Sequence, residues 1–236
     1  MTILITGGTR GIGYALAERC LAAGHHVVIT GTSTDGVSRA EAALGTSVDD
    51  TTRVIGVVCD VRDAGESTRA VETAVQRFGG LDVLVNNAGV GIGAPVADLS
   101  DEEWRRILET NLTGTFHCCR AAIPHLRARG GGWIVNVSSL SSTRPFAGGA
   151  AYCASKAGLN AFTEALMEEV RADGIRVTLV LPGSVATGFS GRPAGQDSDW
   201  RLHAEDVAQA ITDLLAHPPR SLPSRLEIRP AQPKRG

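Results

Sequence analysis

Short runs rich in β-branched residues alternate with longer amphipathic runs along the chain. The short runs fall at 2–6, 26–31, 53–58, 81–86, 133–138, 175–181 and 225–229, with the length and composition of strands. Apolar positions at helical spacing predict helices between them, over about 12–23, 36–44, 64–78, 101–129, 150–172 and 204–216. Repeated β-α-β units imply a parallel sheet covered by helices on both faces. Val83-Leu-Val85 and Ile134-Val-Asn-Val137 are nearly continuous apolar runs, as expected for parallel strands buried on both sides. Ser100 ahead of Asp101 and Glu102 is placed to cap one helix, and Asp63 to cap another. The expected fold class is α/β, a doubly wound seven-stranded parallel sheet formed by residues 1–236 as a single domain. The run 188–200 is the most irregular stretch, and such a loop in a compact domain is usually a lid or a disordered connector.

Composition narrows the partners. The net charge is −2 and the cations are scattered, which gives no electrostatic case for nucleic acid or an anionic membrane. The one basic cluster is the terminal Pro-Lys-Arg-Gly. No apolar stretch approaches the ~20 residues needed to cross a bilayer, and the start of the chain reads as a strand rather than a signal peptide. Five cysteines without a C-x-x-C pair argue against a disulfide framework or a zinc site and for a reducing compartment. The expectation is a cytoplasmic protein with no metal and a small-molecule partner.

Candidate chemistry enters at the first strand–helix junction, Thr6-Gly-Gly-Thr-Arg-Gly-Ile-Gly13. Gly7, Gly11 and Gly13 suit a turn where backbone must approach a ligand closely. The following helix N-terminus would present free N–H groups to a pyrophosphate. Thr9, Arg10 and Ile12 lie in the same turn. After the second strand an NAD-selective site normally carries Asp or Glu for the ribose 2′-hydroxyl. Here stand Gly31, Thr32 and Ser33. Arg10 with no competing carboxylate suits a 2′-phosphate, so the expected cofactor is NADP(H) rather than NAD(H). A solvated turn arginine is the competing reading.

Tyr152 and Lys156 are four residues apart in Tyr-Cys-Ala-Ser-Lys, one helical turn, so they share a face. An ammonium beside a phenol favours the phenolate, and the pair predicts a tyrosine pKa below its ordinary ~10. Such a tyrosine can give or take a proton near neutral pH.

These motifs together resemble the short-chain dehydrogenase/reductase family over nearly the whole chain. The family's Thr-Gly-x-x-x-Gly-x-Gly turn is residues 6–13. Its Asn-Asn-Ala-Gly element is 86–89, its central-helix asparagine is Asn111, and its Tyr-x-x-x-Lys is 152–156. Its serine thirteen residues before the tyrosine is Ser139, and its Pro-Gly is Pro182-Gly183, followed by Val185 and Thr187. The resemblance implies a Rossmann fold and an NAD(P)-dependent oxidoreductase interconverting a ketone or aldehyde with an alcohol.

It also implies roles. Ser139 would hold the carbonyl oxygen, Tyr152 would act as acid or base, and Lys156 would stabilise the tyrosinate and bind the nicotinamide ribose. Asn111 would hold a water leading to the lysine. Asp60 and Val61 would meet the adenine, with helix capping the other reading for Asp60. Asn87, Ala88 and Gly89 would let the cofactor approach, while Asn86 would be structural. Ser138 is the structural alternative to Ser139, and Ser141 and Ser142 read as ordinary loop residues. Pro182, Gly183, Val185 and Thr187 would lie against the nicotinamide. Phe189, Arg192 and Trp200 would close over the substrate in the loop 188–202. Substrate choice is expected in 90–97, 140–150 and 188–202. A homodimer or homotetramer through helices 101–129 and 150–172 is expected. The fatty-acyl reductase branch shares the glycine turn and Gly-Thr-Ser. Its Gly-rich tail is absent here, where the end reads Ser-Arg-Leu-Glu-Ile-Arg-Pro, so acyl-carrier-protein substrates are an alternative. An epimerase or dehydratase relative, and a nucleotide sensor with an inert site, are the rival functions.

Overall fold

The computed structural model describes residues 1–189 and 200–232. The strands are β1 (Thr2–Ile5), β2 (His26–Gly31), β3 (Val54–Val58), β4 (Val83–Asn86), β5 (Gly132–Val137), β6 (Ile175–Pro182) and β7 (Arg225–Ile228). They form one sheet in the order β3-β2-β1-β4-β5-β6-β7, with every pairing parallel. The helices are α1 (Gly11–Ala22), α2 (Thr34–Ser47), α3 (Ala64–Phe78), α4 (Asp101–Leu108), α5 (Gly114–Ala128), α6 (Ala150–Val170) and α7 (Ala204–Leu215).

Strand alternation divides the core into two layers. Ile3, Ile5, Val27 and Ile29 pack on the side of α1, α2 and α7. Leu4, Val28, Leu84 and Ile134 point the other way, toward α3, α5 and α6. Both faces being covered explains why β4 and β5 are apolar without alternation. The chain winds one way from β1 to β3 and the other way from β4 to β7. A crevice therefore opens at the carboxyl ends of β1 and β4, where open α/β sheets bind ligands.

Local signals account for several boundaries. Ser100 and Glu103 form a reciprocal capping box on α4, and Asp63 accepts from the Glu66 N–H to start α3. The expected helix 36–44 is longer, because Ser33 caps it and Val37, Ala40 and Leu44 are buried. Gly36 and Gly45 weaken the sequence pattern at its ends.

The expected continuous helix 101–129 is not continuous. A π-helical turn, Glu109–Thr113, separates α4 from α5. Gly114 follows at once, and a Cβ there would stand 2.6 Å from Val61 Cγ2. The wider turn brings backbone against the β3–α3 connection and turns Asn111 fully inward. Such π-bulges often mark functional positions.

Candidate active site

The glycine turn is built as a cradle. Gly7 and Gly11 have φ of 64° and 57°, where side chains are strained. A Cβ on Gly13 would stand 2.5 Å from the Gly7 carbonyl oxygen. Thr6 Oγ1 accepts from the N–H groups of Asn87 and Ala88, both at 3.0 Å. Asn87 Nδ2 donates back to the carbonyls of Thr6 and Gly7, each at 3.0 Å. These bonds fix the end of β4 to the turn after β1. Arg10 occupies the N-cap of α1 with no side-chain cap bond, so the first-turn N–H groups keep their capacity for an anion.

A cavity of ≈ 490 Å³ opens here, within the ~300–1,000 Å³ range of ligand sites. Its lining joins Gly7, Thr9, Arg10, Gly11, Ile12 and Thr32 to Asp60, Val61, Asn87, Ala88 and Gly89. It continues through Ser139, Tyr152, Lys156, Pro182, Gly183, Val185 and Thr187. Two expected site residues do not line it. Gly13 supplies the close packing of turn on helix. Asn111 lies behind the cavity wall, fully buried.

The Asn111 side chain is engaged on every side. Its Oδ1 accepts from the Val90 N–H at 2.8 Å, and Nδ2 donates to the Val90 carbonyl at 2.9 Å and to Ser155 Oγ at 3.0 Å. Its main-chain carbonyl accepts from Thr115 Oγ1 at 3.2 Å. In this arrangement Asn111 ties the segment after β4 to α6.

Lys156 is 4% exposed, and its Nζ donates to the Val137 carbonyl at 2.8 Å. Burial pushes its pKa down to about 8. The Tyr152 phenol is pushed above its ordinary value, first by burial, with a hydrogen bond from Ser139 acting the other way. The expected lowering by Lys156 is thus not what this geometry produces. The ammonium is turned to a β5 carbonyl, and desolvation of the phenolate dominates. Of the two serines, Ser138 Oγ is buried against Asn160 Oδ1 at 2.7 Å, whereas Ser139 lines the cavity together with Tyr152. Strand alternation sends them to opposite sides.

The cavity is rich in cations. Arg10, Arg62, Arg106 and Lys156 line it, and Asp60 is the single carboxylate in the lining among the described residues. Arg62 grips that carboxylate in a fork, with contacts at 2.6 and 2.9 Å. The hydrogen bond from Arg62 holds the Asp60 carboxyl below the usual range.

Comparison with known proteins agrees with this geometry. The short chain dehydrogenase family model matches residues 1–196. The chain belongs to the short-chain dehydrogenase/reductase family. Among curated relatives, the 3-oxoacyl-acyl-carrier-protein reductase FabG of Haemophilus influenzae is 35% identical over 89% of this chain and 88% of its own length. An alcohol dehydrogenase of the archaeon Thermococcus sibiricus, solved with 5-hydroxy-NADP, superposes with a TM-score of 0.90 at 28% identity, covering 99% of this chain and 98% of that one. The closed form of a serine dehydrogenase with NADP+ superposes at 0.89 and 29% identity, covering 100% and 98%. As a member of the short-chain dehydrogenase/reductase family, the protein is an NAD(P)-dependent oxidoreductase.

The residues present suit such a cofactor. The cradle at Gly7 and Gly13 excludes side chains by backbone contact, the uncapped α1 terminus faces the cavity, and the lining is cationic. Sequence reasoning missed Thr30, Cys59, Arg62, Arg106, Thr110 and Val137 in the lining. Arg62 directly follows Asp60-Val61, so adjacency was a usable signal. Arg106 and Thr110 are one helical turn apart on α4 and its π-turn, a shared face that only the fold aims at the cavity. Phe189 lies against Tyr152 with ring centroids 5.7 Å apart. Arg10 Nη1 donates to the Gly188 carbonyl at 3.0 Å, which ties the glycine turn to the segment after β6. Arg192 lies outside the described residues.

Proposed function

We propose that the protein is an NADP(H)-dependent carbonyl reductase, also running the reverse alcohol oxidation. The observation that carries this reading is the convergence of Ser139, Tyr152 and Lys156 on the cavity that the glycine turn opens into. When bound, the nicotinamide supplies the hydride chemistry. Gly7 to Ile12 would hold the pyrophosphate, Val185 and Thr187 would contact the nicotinamide, and Asp60 and Val61 would receive the adenine. Arg10, with no carboxylate at Thr32, selects the 2′-phosphate.

The Ser139 hydroxyl has one hydrogen, and its oxygen already accepts from the Ser141 N–H at 3.1 Å. That leaves the hydrogen for Tyr152 or for a substrate carbonyl oxygen. Tyr152 gives its proton to the developing alkoxide. Lys156 steadies the resulting tyrosinate and binds ribose hydroxyls. Asn111 acts at one remove, by fixing Val90 and Ser155 beside them. Phe189 forms a wall over the tyrosine and excludes water from the proton transfer.

The test is NADPH oxidation across a panel of ketones and aldehydes, including 3-oxoacyl thioesters. Tyr152→Phe should lower kcat by ~10²–10⁴-fold, the usual worth of a positioned acid, and leave NADPH affinity within about twofold. A fully active Tyr152→Phe overturns the assignment. Tight NADPH binding without turnover on any carbonyl favours the sensor reading.

Assembly through α4, α5 and α6 is part of the same proposal. Trp104 and Phe116 are each 40% exposed, and Phe116 meets Phe162 edge-on, with Arg120 over its ring at 4.8 Å. Light scattering that gives a monomer at micromolar concentration refutes it.

A further inference from the structure

One face of α6 carries Tyr152, Lys156, Asn160 and Thr163, spaced a turn apart. Each meets a successive residue at the carboxyl end of β5. Asn136 Nδ2 donates to Thr163 Oγ1 at 2.9 Å, and the Val137 carbonyl accepts from Lys156 at 2.8 Å. Ser138 donates to Asn160 Oδ1 at 2.7 Å. Ser139 and Tyr152 line the same cavity. Three of these pairs hold the fourth in register.

The chain of bonds continues beyond Ser138. Asn160 Nδ2 donates to Ser142 Oγ at 2.8 Å, and Ser142 Oγ donates to the Ser139 carbonyl at 2.5 Å. The direction of each bond follows from counting hydrogens. Ser142 has one, and it goes to a carbonyl that can only accept. Its oxygen must therefore accept, which sets the Asn160 amide with nitrogen toward Ser142 and oxygen toward Ser138. Asn160 is buried and both ends of its amide are used. The turn Leu140–Ser142 is thus clamped to α6 from both ends, with Ser139 as the pivot between them.

We propose that Asn160 and Ser142 are positioning residues, which orient Ser139 toward Tyr152 through its main chain. The inference rests on the role of Ser139 proposed above. Neither residue touches the reacting atoms. Rotation about the Ser139 backbone moves its hydroxyl, and misplacement of a catalytic group by about 1 Å can cost ~10²-fold.

The experiment compares Ser142→Ala, Ser142→Thr, Asn160→Leu, Ser139→Ala and the double variant Ser139→Ala/Ser142→Ala, using NADPH and ethyl 3-oxobutanoate. Ser142→Ala and Asn160→Leu should each lower kcat by roughly tenfold, with the KM for NADPH unchanged. Ser142→Thr, which keeps the hydroxyl, should restore kcat. A residue acting only through Ser139 adds nothing once that hydroxyl is gone. The double variant should therefore be no slower than Ser139→Ala alone. Multiplying losses, or an unchanged kcat in Ser142→Ala, overturns the relay. Crystal structures of the wild type and Ser142→Ala decide the same point without turnover. The Ser139 hydroxyl should swing away from Tyr152, and an unmoved hydroxyl overturns the proposal. If the wild type reduces no carbonyl, the functional reading falls, and the two crystal structures still decide the relay.

Discussion

Replacing Lys156 by Met tests the electrostatics of the site without a ligand. Methionine has similar length, no charge and a tolerant fit in apolar surroundings. Lys156 is buried, and its pKa falls from the ordinary 10.5 to about 8 because burial penalises the ammonium. The sign follows from linkage. Between the two values the unfolded chain binds more protons than the folded one, so stability rises with pH across that window. Below the folded value both states are protonated, and the folded state carries the full burial cost of about 3 kcal/mol.

The variant has no such titration, and the Tyr152 phenol, raised above its ordinary value by burial, stays largely protonated across the window. The unfolding free energy of the wild type relative to Lys156→Met should therefore rise by roughly 2–3 kcal/mol between about pH 7 and about pH 10. Urea unfolding at a series of pH values, followed by far-UV circular dichroism, reads the difference directly. A difference that stays flat to within about 0.5 kcal/mol across that range would refute the depressed lysine. It would also mean that Lys156 stays fully charged in the folded protein.

Three further outcomes follow from the geometry. Asn111→Leu leaves the Val90 N–H and carbonyl without their buried partners, so it should destabilise by about 3 kcal/mol in chemical denaturation; a loss under about 1 kcal/mol contradicts the lock described here. Gly13→Ala pushes a methyl to 2.5 Å from a backbone oxygen, so it should cost roughly 1–3 kcal/mol and weaken NADPH binding measured by fluorescence titration, whereas an unchanged affinity would show that the turn relaxes freely. Arg10→Ala should raise the KM for NADPH by roughly 10–100-fold, the worth of a charged hydrogen bond, and leave that for NADH nearly unchanged; equal losses with both cofactors remove the assigned preference.

Local chemistry was legible wherever it is set by neighbours in the chain. The strand–turn–helix at 2–22, the caps at Ser100 and Asp63, and the shared face of Tyr152 and Lys156 all depend on spacing of a few residues. The apolar runs of β4 and β5 named the doubly covered sheet, because a parallel strand buried on both faces has no polar side to show. Asn111 was legible as a polar residue inside a predicted helix, but the π-turn that accommodates it depends on Gly114 meeting Val61 across the fold.

What the sequence alone determined is therefore the fold, the family and the types of group available for chemistry. Period, turn geometry and hydrogen-bonding capacity are carried by the residues themselves. The tertiary structure decided where those groups aim and how strongly they are charged. It turned Lys156 to the Val137 carbonyl and raised rather than lowered the tyrosine, since desolvation depends on everything that surrounds a group. It brought Arg62 and Arg106 to the cavity from separate elements. It also made Ser142, an unremarkable loop serine in the sequence, a link between α6 and Ser139, because the partners of a hydrogen bond are chosen in space.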